Sequence, residues 1–104
     1  MEVNIIKGND ETRVELPVRI DTINSGDFEK AIASVFVDVT PNTVFDCKDL
    51  TYISSSGLRI VLKSFQMLKT KGSAFKLVNV IPQVKSVFDM TGFSRVLDIE
   101  VAKQ

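Results

Sequence analysis

The chain has 104 residues, 44% hydrophobic and 25% charged, with thirteen basic side chains balancing thirteen acidic ones; this suits one folded domain and offers no field to draw nucleic acid or anionic lipid. Histidine is absent, which removes Ser-His-Asp and Cys-His nucleophile pairs, imidazole zinc sites and any side chain with an unperturbed pKa near neutrality. No apolar run approaches the roughly 20 residues needed to span a bilayer, and Met1-Glu2-Val3-Asn4-Ile5-Ile6-Lys7 lacks the basic start and long apolar stretch of a signal peptide, so no membrane insertion and a cytoplasmic place are expected.

In chain order, Val3, Ile5 and Ile6, then Val14, Leu16 and Val18, form two apolar-rich runs around Gly8-Asn9-Asp10, the turn chemistry of a hairpin. Pro17 lacks an N–H and belongs at a strand end or an unpaired edge. Asn24-Ser25-Gly26-Asp27 supplies cap residues and an early acid before Phe28, Ala31, Ile32, Val35 and Phe36, whose spacing predicts a helix with one buried face, broken at Pro41-Asn42. Thr43 to Cys47 is a short β-branched and aromatic run that reads as an interior strand. Cys47, the only cysteine, allows no intramolecular disulfide and reads as a small buried thiol.

Leu58, Val61, Leu62, Phe65 and Leu68 mark the buried face of a second helix, with Gly72 as its stop. Ala74 to Asn79 predicts a further strand, Pro82 the first turn of a short helix carrying Val84, Val87 and Phe88, Gly92 the end of that helix, and Val96 to Val101 a last strand before a frayed Lys103-Gln104 tail. The order is β-β-α-β-α-β-α-β, an α/β layout in which the later strands run parallel and helices cover a mixed sheet in two or three layers.

The segment with most chemical content is Ser54-Ser55-Ser56-Gly57-Leu58, where an apolar strand gives way to the second helix. Unpaired, partly positive N–H groups at such a start can hold a phosphate or an acid. Serine also favours helix N-caps, and from spacing alone the cap is the stronger reading of these residues. Gly57 costs helix stability, on the order of 1 kcal/mol against alanine, and close approach by another molecule is one reason to place it there. A nucleophilic enzyme reading of Ser55 or Ser56 ranks low: the segment is not a Gly-x-Ser-x-Gly elbow and no histidine exists to activate a hydroxyl. Nor is there a Walker-type glycine loop.

At Asp49-Leu50-Thr51-Tyr52-Ile53-Ser54-Ser55-Ser56-Gly57-Leu58, Lys71-Gly72, Asn79-Val80-Ile81-Pro82-Gln83-Val84 and Phe88-Asp89-Met90-Thr91-Gly92-Phe93, the chain resembles the STAS domains, and within them the bacterial anti-sigma factor antagonists. The resemblance covers nearly the whole chain and implies one STAS-type domain over residues 1–104. In that family the segment commonly reads Asp-Ser-Ser/Thr-Gly-Leu, and the serine after the aspartate accepts phosphate; here that serine is Ser55. Family members also use an acidic residue in the loop after the second strand, near the phosphorylation site, and Asp21 holds the matching position. The resemblance thus implies a docking surface of Asp21, Ser54, Ser56, Gly57 and Leu58 around the phosphoacceptor.

It further implies a binding switch, not an enzyme. The unphosphorylated antagonist binds an anti-sigma factor that is itself a serine kinase, and so releases a sigma factor; phosphorylation ends the interaction and a serine phosphatase restores it. ATP and magnesium belong to the kinase, and the antagonist itself carries no cofactor or metal. Ser54 stands where the family usually has aspartate, which removes one negative charge and keeps a short hydrogen-bonding side chain. The alternative reading that follows is a STAS scaffold that docks without being phosphorylated, as a subunit of a lipid transporter or a stress-signalling assembly.

Overall fold

A computed structural model describes residues 1–103; Gln104, half of the tail expected to fray, lies outside the described residues. The elements run β1 (Asn4–Lys7), β2 (Glu11–Glu15), β3 (Arg19–Ile20), α1 (Ser25–Ala31), a 3-10 turn (Ala33–Phe36), β4 (Asn42–Asp46), β5 (Tyr52–Ile53), α2 (Ser55–Thr70), β6 (Ala74–Val80), α3 (Pro82–Met90), a second 3-10 turn (Phe93–Arg95) and β7 (Asp98–Val101). Five strands form one mixed sheet in the order β1-β2-β4-β6-β7. β1 and β2 are the antiparallel hairpin, and every other pairing in that sheet is parallel.

The register aligns Val14, Phe45, Leu77 and Ile99 across β2, β4, β6 and β7. Side chains alternate along a strand, so this row and its neighbours two residues away share one face. Val14, Phe45, Phe75 and Leu77 meet Phe28, Leu58, Val61, Leu68 and Phe88 of the helices in one continuous core. The opposite face carries polar pairs instead, among them Arg13–Asp46, Lys48–Glu15 and Lys76–Glu100. The helices pack on the first face, giving two layers, while Val44 and Val78 are buried apolar residues of the other.

Three stretches depart from the sequence expectation. The helix read from Phe28 to Phe36 divides: α1 ends at Ala31 and the chain tightens into the first 3-10 turn, with Val35 N–H donating to Ile32 and Val37 N–H to Ser34. β-branched Ile32, Val35 and Val37 lose side-chain freedom in a regular helix, and the 3-10 geometry still buries Ile32 and Val35. Val18 does not continue the second strand; it is exposed beside Pro17. β7 opens at Asp98 because Phe93–Arg95 form a 3-10 turn first.

The larger addition is a second sheet of two short strands, β3 and β5, parallel and paired at Arg19↔Tyr52 and Ile20↔Ile53. Ile20 and Ile53 point into the core, so this ladder is pinned from beneath. α2 begins immediately after β5 and closes with a Schellman arrangement: Ser73 N–H donates to Leu68 at 2.9 Å and Gly72 N–H to Lys69 at 3.1 Å. Gly72 has φ +81° there, a conformation glycine adopts without a Cβ clash.

Candidate functional site

The β3–β5 ladder positions Asp21 and the Ser54–Leu58 segment. Its parallel strands end side by side, and Ser54 N–H donates to the Ile20 carbonyl at 2.8 Å. Asp21, next along from Ile20, therefore stands beside the start of α2. The loop it opens is locked by its own side chain: Asp21 Oδ1 accepts from the N–H groups of Ile23 at 3.0 Å and Asn24 at 2.9 Å. Asn24 Oδ1 accepts in return from Asp21 N–H at 2.7 Å. This is the reciprocal turn chemistry that Asx side chains favour.

Those bonds shape the acidity of Asp21. The N–H of Asn24 is the largest influence and lowers the pKa; partial desolvation opposes it, and the Ile23 N–H and the Arg19 guanidinium lower it further. Asp21 is thus held ionised, a fixed negative charge next to the serine cluster. Arg19 Nε lies 3.5 Å from Asp21 Oδ2, and its guanidinium stacks over Tyr52 with 4.6 Å to the ring centroid. Arg19, Asp21 and Tyr52 thereby form a connected group on the outside of the ladder.

The three serines have three different surroundings. Ser54 is buried and is the N-cap of α2: its Oγ accepts from Gly57 N–H at 3.2 Å and shares a 2.9 Å hydrogen bond with Ser56 Oγ. Ser56 is half-buried. Ser55, the first residue of α2, is exposed, and its hydroxyl makes no hydrogen bond among the described residues. Of the three it is the only one both exposed and without a hydrogen-bond partner.

Gly57 and Leu58 are buried, which revises the docking surface drawn from the sequence. A Cβ on Gly57 would lie 2.8 Å from both Ile20 and Ile53 side chains, so the close approach this glycine permits is by the ladder beneath it and not by another molecule. Leu58 belongs to the core. Of the six residues expected at the site, Asp21, Ser55 and Ser56 are reachable from solvent, whereas Ser54, Gly57 and Leu58 hold the helix start in place.

Two outward neighbours were not read from the sequence. Ile23 is 91% exposed and Tyr52 is 45% exposed, and the sequence assigned neither a role at the site. The only available signal was that Ile23 stands alone between the polar residues Thr22 and Asn24, a pattern too short to carry a period. Elsewhere, α1 and α2 enclose a shallow apolar groove of about 260 Å³, lined by residues including Ile32, Phe36, Ile60 and Met67. Cys47 is fully buried, and burial, aided by the adjacent Asp46 carboxylate, pushes its thiol up to about 12. Among the described residues no group of three or more Cys, Asp or Glu side chains is placed to hold a metal ion, and no helix is long and apolar enough to cross a membrane.

Comparison with known proteins gives a consistent picture. The family profile described as "STAS domain" matches residues 2–103. The anti-sigma-B factor antagonist of Bacillus subtilis is 33% identical over 57 residues, which span 55% of this chain and 52% of that protein. The chain thus matches about half the length of that relative. Among solved structures, an anti-sigma factor antagonist from Mycobacterium paratuberculosis superposes with a TM-score of 0.86 at 22% identity, covering 95% of this chain and 84% of the other. The unphosphorylated form of the anti-sigma factor antagonist SpoIIAA superposes at 0.77 with 17% identity, covering 94% and 87%. At these identities the structural likeness establishes the fold.

Proposed function

The chain belongs to the STAS domain family, and on that premise we propose that it is an anti-sigma factor antagonist: a phosphorylation-controlled binding protein whose switch is Ser55. Its partner is an anti-sigma factor that is also a serine kinase, and a serine phosphatase resets it, both acting in the cytoplasm. The observation that carries the reading is the separation of roles within the serine cluster. Ser54 is occupied as the cap of α2, while Ser55 alone presents an exposed, unbonded hydroxyl beside the ionised Asp21.

Transfer of the γ-phosphoryl group of the kinase's ATP to Ser55 Oγ releases ADP and the hydroxyl proton, and leaves about −1.5 to −2 charges at the first residue of α2. Inside the domain that charge is tolerated, because the unpaired N–H groups of a helix start favour an anion. At a docked surface it has to be desolvated and is repelled by Asp21. The fold persists while the complex is lost. Ser54 keeps the helix start that presents Ser55, since its hydroxyl supplies the cap that an aspartate would supply.

The test is phosphorylation of the purified chain by the serine-kinase anti-sigma factors of its source organism, with ATP and magnesium, read by residue-level mass spectrometry. Phosphate on Ser55, absent from Ser55→Ala, supports the switch. A kinase that binds the chain tightly and never modifies Ser55 overturns it and leaves the scaffold reading, for which the uncharged Ser54 is the favouring feature.

A further inference from the structure

We infer that Ile23 is the apolar anchor of the docked complex, and that it enters an apolar pocket on the anti-sigma partner while Ser55 supplies the charge that breaks the contact. The inference rests on the proposed function, because it assigns the affinity of that same surface to a residue outside the serine cluster.

Ile23 is 91% exposed, beyond any other large apolar side chain among the described residues. Single exposed apolar residues are common, so exposure alone says little. Its mounting is what sets Ile23 apart. A mobile loop tip would lose conformational freedom on docking and return part of the gain from burial. Here the backbone is already fixed: the Ile23 N–H is bonded to Asp21 Oδ1, the next N–H is bonded to the same oxygen, and Asn24 closes the turn through Asp21 N–H and the Arg19 carbonyl. The side chain is held out to solvent by a turn that is ordered before any partner arrives.

The surroundings fit a protein partner and not a small ligand. Ile23 connects through Asp21 to Arg19, and Arg19 to the Tyr52 ring, while Val18 is exposed just before Arg19. Tyr and Arg beside an apolar projection are the residue types that dominate protein interfaces. No cavity is needed on this chain because the projecting member is here, and the complementary concavity belongs to the partner. Ser54 N–H bonded to Ile20 ties this group to the start of α2, and the proposal puts Ile23 and Ser55 in one footprint of the partner. A phosphate added there is buried in the same contact.

The test titrates the purified chain against the serine-kinase anti-sigma factor of its source organism that binds the wild type, comparing Ile23→Ser, Ile23→Leu, Ser55→Glu and, on the exposed end of α3, Met90→Ser. Burial of one isoleucine side chain predicts a loss of about tenfold or more for Ile23→Ser, near-wild-type affinity for Ile23→Leu, and no change for Met90→Ser. Far-ultraviolet circular dichroism and thermal melting confirm that each variant is folded. Ile23→Ser indistinguishable from Met90→Ser, with Ser55→Glu still defective, overturns the anchor and leaves the switch standing. Ile23→Ser defective with Ser55→Glu binding as wild type supports the anchor and counts against the switch. If none of those kinases binds the wild-type chain, the proposed function fails and the anchor fails with it.

Discussion

Gly57 and Ile20 are packed so closely that a single methyl group on the glycine would stand 2.8 Å from the isoleucine side chain. Helix propensity alone makes Gly57→Ala stabilising by roughly 1 kcal/mol. Overpacking a fixed core typically costs about 1–3 kcal/mol, and here Ile53 is equally close on the other side. The net effect is therefore destabilisation, seen as a lower urea midpoint at unchanged m value. A raised midpoint would mean that the ladder yields freely.

Ser54 separates capping from charge. Ser54→Ala removes the acceptor for Gly57 N–H and is expected to cost about 1 kcal/mol. Ser54→Asp keeps an acceptor and adds a negative charge at the start of α2, so it is expected to match or exceed wild-type stability. Thermal unfolding of both variants checks this. A neutral alanine variant would show that the cap bond contributes nothing.

Asp46 confers a pH dependence of predictable sign. Burial acts to raise its pKa, but hydrogen bonds from Asn79 and the Lys48 N–H, with the Arg13 guanidinium, outweigh it and leave the pKa below 3.8. A depressed folded-state pKa stabilises fully above the unfolded value of 3.8 and is lost as pH falls through the folded one. Urea midpoints taken from pH 7 down to about 3 should fall with acid for the wild type, and less steeply for Asp46→Asn. Parallel slopes would place the acid sensitivity elsewhere.

Cys47 should be inert in the native chain. Its fully buried thiol, pushed up to about 12, carries almost no thiolate near neutrality and is shielded from reagent. Iodoacetamide at pH 8 is expected to label it only after unfolding by denaturant. Rapid labelling of the native protein would reveal local opening at the end of β4.

The main sheet was legible because its strands and helices carry long apolar patterns with one period each. Val14, Phe45 and Leu77 are recognisable as core from their own segments, and Gly8-Asn9-Asp10 and Gly72 mark their turns. The β3–β5 ladder was not legible: two residues per strand cannot show a period of two, and Arg19-Ile20 is paired only because Tyr52-Ile53 happens to lie alongside. The site suffered for the same reason. Ser54, Ser55 and Ser56 are identical in sequence, and burial, which depends on the ladder, is what distinguishes them. Gly57 was read as a point of close approach by another molecule, and the atoms that approach it are instead those of Ile20 and Ile53, in a ladder the sequence did not show.

The ladder also divides the labour of its own residues. Ile20 and Ile53 face inward and cannot change without disturbing the core, while Arg19, Ile23 and Tyr52 face outward and bear on none of it. On the proposed docking surface, recognition and foldedness are therefore assigned to separate positions of the same few residues. Such a domain can be re-addressed to a different partner by exchanging its outward side chains alone, so that duplicated copies in one cell could diverge in whom they meet while keeping one shared scaffold and one shared serine.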